Sequence, residues 1–397
     1  MDAMPANNGA VARKLVLTTA LTLGAAAAAA VIVPATSSAH PARAVHRPAV
    51  HTTETYRSTV FANASGIKHA TSKGRVAIQQ PDDITALHGH IFAAFQNGVG
   101  PQGQANTAGN ADSTIVEFSL AGKRIAQWDV TGKCDGLTAD PLTGKVIATV
   151  NEDAHSSLYL ITPRRGSKPA HYRYNEALPS MGGTDAIEIY HRMILISASA
   201  PGTTGMAAPQ ARYPAVYKVT LNAASKVAHV SGLFSDEAKA MPANSGTHGP
   251  VKLALTDPDS NEDVPAYAKR FGGDFMLTSQ GDEEQIYVSR VGGAKQRLTV
   301  LKMTHSVDDS AWPAGPHGAL YTTDNSNDRI YKITGRFPRG QEFAAETPCD
   351  QNGAPTTCPA RGYPNNSLVT VNQTTGKLSK VALTGPRPAA QGMLYLR

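Results

Sequence analysis

The stretch Asp135-Gly136-Leu137-Thr138-Ala139-Asp140, followed by Lys145-Val146-Ile147-Ala148-Thr149-Val150 and Ser157-Leu158-Tyr159-Leu160-Ile161, decides the fold. An acidic turn opens a short apolar run, a Gly-containing turn follows, and two β-branched or aromatic runs come after it. Each run has the length of a strand and is bounded by turn residues, so the pattern is that of an antiparallel meander rather than a helix. A weaker strand near Tyr172 completes the unit.

The same phrase recurs on both sides. Upstream, Pro81-Asp82-Asp83-Ile84 to Leu87 turns at His88-Gly89-His90 and continues through Ile91–Phe95, Thr114–Phe118 and Arg124–Trp128. Downstream, a third copy opens at Thr184-Asp185-Ala186-Ile187 and continues with Met193–Ser197 and Ala215–Val219. A fourth, with longer loops, comprises Val251–Leu255, Asp274–Thr278, Gln285–Ser289 and Arg297–Leu301. A fifth joins Val307-Asp308-Asp309-Ser310-Ala311 to Ala319–Asp324 and Arg329–Ile333. The tail adds Ser367–Val371, Lys377–Leu383 and a last strand from Met393 to Leu396. The opening acids Asp82, Asp135 and Asp185 lie about fifty residues apart, the period of a β-propeller blade.

We therefore expect an all-β chain: a six-bladed β-propeller of four-stranded antiparallel blades, spanning residues 55–397, its ring closed by N- and C-terminal strands. The N-terminal parts would come from Thr59–Phe61 and Arg75–Ile78. Seven blades are the alternative, with the extra one between Phe343 and Asn366; that stretch lacks a β-branched run, which favours an insertion. A β-sandwich or two stacked β domains would also give many short strands, but not the repeated order of turns and strands. Composition agrees: 41% apolar, 17% charged, 35 Gly and 26 Pro exclude disorder and a coiled coil. A formal charge of +6 spread along the chain, with no basic block, argues against a nucleic-acid partner.

The N terminus reads differently. Arg13 and Lys14 precede an uncharged, mostly apolar run from Leu15 to Val33, followed by the small residues Ser37-Ser38-Ala39. This is the layout of a signal peptide over residues 1–39, with a flexible leader over 40–54. The protein is then secreted, without stable membrane insertion after cleavage, and works as a monomer. In an oxidising compartment Cys349 and Cys358, which enclose a Pro- and Gly-bearing loop, are expected to form a local disulfide. Cys134 is left over and reads as a small buried hydrophobe.

The phrases Asp135–Asp140, Gly318–Asp324 and Asp328-Arg329-Ile330-Tyr331 resemble blade signatures of the SMP-30/gluconolactonase and NHL-repeat superfamily of six-bladed propellers. The resemblance runs from about Pro81 to Leu396. It implies a divalent cation, often calcium, held at the channel mouth by a Glu, two Asn and an Asp, and hydrolysis of sugar lactones or related esters. This chain departs from that set: Asp82-Asp83 stands where the family has its opening Glu, and no Asn-Asp-Gly phrase occurs where the Asn ligands are expected.

Residues that open the innermost strands converge on one end of a propeller channel. Here they are Asp82 or Asp83, Asp135, Asp185, His248, Asp308 or Asp309, and Gln391. Facing carboxylates repel, and a hard cation relieves them; Asp83, Asp135, Asp185 and Asp308 are the candidate ligands for Ca2+ or another divalent ion. Asp308 or His248 is the candidate base that would act on water or a carbonyl polarised by that ion. The competing role for each Asp is to accept backbone N–H bonds of its own turn or the next blade.

His88-Gly89-His90 lacks a third ligand, and Glu152-Asp153 and Asp282-Glu283-Glu284 read as solvated turn acids. No G-x-S-x-G elbow occurs. The loops Pro201–Tyr213, Ser235–His248 and Asp257–Gly273 are expected to form a rim. Two functions follow: a secreted propeller that binds a small molecule or an extracellular protein or carbohydrate through its loop-decorated channel face, or a divalent-metal-dependent lactonase or esterase. Mass spectrometry of the exported protein is expected to find a terminus at His40 or Val45; an intact Met1 would overturn the signal-peptide reading.

Overall fold

A computed structural model describes residues 55–178, 183–199, 213–347 and 366–397. The chain divides into Met1–His51, which lies outside the described residues, and Thr52–Arg397. The signal peptide, the leader and the Cys349–Cys358 pair also fall outside them. The described residues are all β, with two single 3-10 turns at Ala64–Gly66 and Asn325–Asn327 and no α-helix.

The architecture is propeller-like, and its strands form successive antiparallel meanders. The first contains Pro81–Leu87, His90–Phe95, Asp112–Ser119 and Arg124–Thr131. The second contains Cys134–Asp140, Lys145–Val150, Ser157–Ile161 and Ala170–Tyr174. The third contains Thr184–Tyr190, Met193–Ala198, Pro214–Asn222 and Val227–Ser235, the last a strand with no counterpart in the sequence reading. Parallel pairing of Arg173 with Val227 and Tyr174 with Ala228 fuses the outer edges of these two into one eight-stranded sheet. That contact covers two edges that would otherwise expose unpaired backbone groups.

Several sequence expectations are corrected. In the fourth meander the inner strand is Pro258–Asp263, paired with Phe275–Ser279, and not Val251–Leu255. Val251–Lys252 is an edge strand on Lys239–Pro242, and Leu253 and Leu255 are buried in a core cluster. The segment expected as a rim loop, Asp257–Gly273, thus contains a strand; its polar side chains lack apolar alternation because they face a polar cavity. The fifth copy also divides between two sheets. Val307–Ala311 pairs with Glu342–Glu346, beyond which lie Ser367–Val371 and Leu378–Lys380. The hairpin Ala319–Asp324 and Arg329–Thr334 instead lies between Met393–Leu396 and Tyr56–Asn63. The connection Pro313-Ala314-Gly315-Pro316-His317-Gly318 is too long and Pro-rich for a tight hairpin turn and carries the chain to the next sheet. Arg75–Ile78, expected near the ring closure, lies largely in a separate hairpin of Lys68–Thr71 with Gly74–Ala77.

Closure therefore uses both termini. Met393–Leu396 is the inner strand of the closing sheet, and Tyr56–Asn63 lies on the far side of the inserted hairpin, with Leu383–Thr384 outside it. Apolar clusters join sheet to sheet. Leu87, Phe92 and Trp128 of the first meander pack with Leu137, Val146 and Val150 of the second. The last cluster combines Ala319, Tyr321 and Ile330 of the closing sheet with Ile84, Phe95 and Phe118 of the first. Cys134 belongs to the first of these clusters, as the sequence suggested.

The inner strands approach one another closely, and two glycines make that approach possible. A Cβ on Gly136 would meet the carbonyl oxygen of Asp185 at 2.5 Å, and one on Gly392 would meet that of Asp82 at 2.3 Å. Both contacts are with backbone that the neighbouring strand holds in place. Gly136→Ala and Gly392→Ala are expected to destabilise the fold by about 1–3 kcal/mol or more each. Gly66→Ala, whose Cβ meets nothing within 4 Å, should stay within about 0.5 kcal/mol. Urea unfolding of the three variants checks this.

Candidate cation site in the axial cavity

Five of the inner strands carry a register irregularity at their opening acid: Pro81/Ile84, Cys134/Gly136, Thr184/Ile187, Pro258/Ser260 and Val307/Ser310. A bulge adds a residue and re-aims side chains. Its repetition brings Asp82, Asp135, Asp185, Asp259 and Asp308, with Gln391 from the closing sheet, to the wall of one cavity of about 460 Å3. Three residues further along their strands, Glu188 and Glu262 line it as well. With Asp83, Glu152 and Asp309, the described lining residues include ten carboxylates and a single ammonium, Lys133.

Two of the acids serve the scaffold. Asp83 Oδ1 accepts from its own Ile84 N at 2.6 Å, and its Oδ2 accepts from Leu137 N of the next inner strand at 2.5 Å. Asp309 repeats the device: Oδ1 accepts from Ser310 N at 2.7 Å and Ser260 Oγ at 3.0 Å, and Oδ2 from Met393 N at 2.6 Å. Asp83, expected as a ligand, therefore has both oxygens engaged as a latch between sheets.

Of the acids expected as ligands, Asp135 and Asp185 lie together, joined by Glu152. One carboxylate oxygen from each lies within 4.8 Å of the other two. Asp135 is 7% exposed. Its Oδ1 is 2.8 Å from Lys133 Nζ and accepts from Gln96 Nε2 at 2.8 Å; Lys133 also pairs with Glu152. Asp135 Oδ2 is buried with no hydrogen-bond partner. Such an oxygen costs free energy unless something supplies a positive or donating partner. Three hard carboxylate donors with one free oxygen suit a calcium- or magnesium-like ion, which prefers oxygen ligands. Asp308 lines the same cavity, whereas His248 is exposed on a loop and is not part of the cavity wall. The His248 expectation followed from misplacing the fourth inner strand, where Asp259 takes the opening position.

Glu152, read as a solvated acid, is a member of the site. It follows the second strand of its meander, as Gln96, Gln280 and Asn325 do in theirs, and all four line the cavity. In an antiparallel meander the second strand ends where the first begins, so this position was readable from the repeat.

Electrostatics report crowding. Burial pulls the Lys133 ammonium down, yet Asp135, Glu152 and Asp82 outweigh it and hold the group well above its usual value. Burial raises Asp135, with Glu152 adding and Lys133 opposing, and raises Asp185, with Asp259 and Asp135 adding. Asp82 is pushed up to about 7 by burial, against Lys133, and Glu188 to about 8 by burial and the nearby Asp263. Glu262 shares a hydrogen bond with Asp309 and is raised by burial and by that neighbour.

No protein-family model matches this sequence, and no curated protein does. Solved structures of similar fold include a Pseudomonas aeruginosa periplasmic gluconolactonase, 11% identical over 86% of this chain and 99% of its own, with a TM-score of 0.41. A candidate 6-phosphogluconolactonase from Bacteroides uniformis is 11% identical over 87% of this chain and 100% of its own, at 0.44. A candidate gluconolactonase is 10% identical over 84% and 83%, at 0.44.

Carboxyl groups with raised folded-state pKa values contribute stability that is complete below the unfolded value and is lost as pH rises through the folded one. For Asp82, Glu188 and Glu342 that loss begins above the ordinary carboxylate range and is complete once the pH passes about 7, 8 and 7. In chelator-treated protein the urea midpoint is expected to fall between about pH 5 and pH 8.5, with millimolar calcium restoring part of it at the upper end. A midpoint that rises over this range would refute the assignment.

Proposed function

We propose that the protein is an exported, six-bladed propeller whose axial cavity binds a divalent cation at Asp135, Glu152 and Asp185, together with a small ligand entering from the loop-decorated face. The count of six takes the fused eight-stranded sheet as two blades and the closing sheet as one. The observation that carries the binding reading is the Oδ2 atom of Asp135: buried, without a protein partner, and beside two other carboxylates. Lys133 neutralises part of this corner, and an ion would neutralise the rest. It would also draw protons off the neighbouring acids, since binding competes with protonation.

A second reading is a cation-dependent hydrolase of lactones or esters, favoured by Asp82. This acid lines the cavity near Lys133, and its pKa of about 7 makes it an effective proton acceptor near neutrality. A divalent ion, when bound, would polarise a carbonyl. Asp82 would then take the proton of an attacking water, while Lys133 holds Asp135 and Glu152 in place.

Calorimetric titration of chelator-treated protein with calcium, magnesium and manganese tests the first reading. A Kd between about 10⁻⁶ and 10⁻³ M is expected for at least one ion, weakened at least about tenfold in Asp135→Asn or Glu152→Gln. Absence of binding at about 10 mM would overturn it. A lactone and aryl-ester panel with and without EDTA tests the second: chelator-sensitive turnover, lost in Asp82→Asn with metal binding intact, is the expected result, and absence of turnover across the panel removes it.

A further inference from the structure

The backbone beneath the candidate cation site is cross-linked by hydrogen bonds. Asn151, which precedes Glu152, accepts from Lys133 N at 3.0 Å through its Oδ1 and donates its own N–H to Lys133 O at 2.7 Å. Gly132 leaves room for this exchange, since a Cβ there would meet Asn151 Oδ1 at 2.5 Å. Lys133 and Glu152 thus start from backbone positions that are tied together, and Asp135 follows two residues after the lysine. The ammonium is held by the carboxylates: Nζ lies 2.8 Å from Asp135 Oδ1 and pairs with Glu152 as well. The Lys133 side chain is 18% exposed, so its charge is screened far less than one on the surface.

Two of the three acids of the candidate site are therefore also the partners of the one ammonium among the described lining residues. When ionised, three carboxylates and one ammonium leave this corner with two negative charges. A divalent ion brings the sum to zero, a monovalent ion falls one short, and a trivalent ion overshoots by one. Such an imbalance costs more in a buried corner than in water, because Coulomb energies grow as the effective dielectric falls. Lys133 engages Oδ1 of Asp135 and leaves Oδ2 without a partner. An ammonium and an ion can then share this carboxylate, and they repel each other while they do.

We propose that Lys133 sets the charge selectivity of the cation site, fitting the corner to a divalent ion and disfavouring ions of higher charge. This rests on the reading of Asp135, Glu152 and Asp185 as a cation site and adds to it the residue that decides which charge the site prefers. The repulsion between the ammonium and a bound ion is proportional to the charge of the ion. Removing the ammonium therefore strengthens binding by a free energy about one and a half times as large for a trivalent ion as for a divalent one. A change in the shape or hydration of the corner would move two ions of similar size alike.

The test is calorimetric titration of chelator-treated wild type, Lys133→Met and Lys133→Arg with calcium and with terbium(III), a hard trivalent ion of similar size, at one pH and one ionic strength. Lys133→Met is expected to bind calcium at least about tenfold more tightly than wild type does, and terbium at least about thirtyfold more tightly. Lys133→Arg keeps the charge and should leave the ratio of the two affinities within about threefold of wild type. If Lys133→Met fails to fold, Lys133→Gln, polar and uncharged, supplies the same comparison. Equal gains for the two ions, or no gain for either, overturn the role of Lys133, and calcium binding to wild type then leaves the cation reading standing. Absence of binding in wild type and variants fails that reading and this inference with it. Binding in the uncharged variants alone fails that reading for the wild-type chain and keeps Lys133 as the group that opposes the ion.

Discussion

Like charges brought together away from water must be neutralised, and the cavity wall, with ten carboxylates and one ammonium, shows three ways of doing it. Asp83 and Asp309 spread their charge over backbone N–H groups. Asp135 and Glu152 share Lys133, an internal counter-ion. Burial raises Asp82, Glu188 and Glu262, so taking up a proton is a third way of offsetting charge there. The first two solutions are built into the covalent chain; the third is provisional, because any cation that enters can replace a proton.

The acids that crowd the cavity are also what hold its wall together. Asp83 ties the first inner strand to the second, and Asp309 ties the fifth to the closing one. The Oγ1 of Thr149 reaches the carbonyl of Asp185 at 2.6 Å, and Asn261 reaches that of Ala186. These side chains cross from one meander to the next at the level where the site lies, so the spacing of the carboxylates is set by bonds between meanders rather than within them. A site assembled this way depends on ring closure. Closure here draws on three distant parts of the chain: Tyr56–Asn63, the hairpin Ala319–Thr334 and Met393–Leu396.

Much of this was legible in the residues, for reasons that also explain what was not. Lys145–Val150 and Ser157–Ile161 match their strands to the residue because they are apolar runs between turns. Pro258–Asp263 escaped because an inner strand facing a polar cavity has no apolar alternation to display. The pairing of Ala319–Thr334 escaped for another reason: the hairpin is local and visible, but its partners lie some 70 and 270 residues away and leave no mark on it. In the site, the repeat exposed Asp82, Asp135, Asp185 and Asp308. It also contained Glu152, at the end of a second strand, but only once the direction of each strand is taken into account.

Net charge is where the folded arrangement alters the meaning of the composition most. The chain has 37 basic and 31 acidic residues, a difference of +6 that suggests a nearly balanced surface. Removing the ten cavity carboxylates and Lys133 leaves 36 basic and 21 acidic residues elsewhere, a difference of +15. The balance is thus a sum of an acidic well and a basic remainder. At physiological ionic strength exposed charges are screened over about 8 Å, whereas charges in a buried cavity are screened much less. A ligand at the mouth therefore feels chiefly the well. The basic remainder does not bar a cation from entering, and the selectivity of the cavity is decided by its own wall.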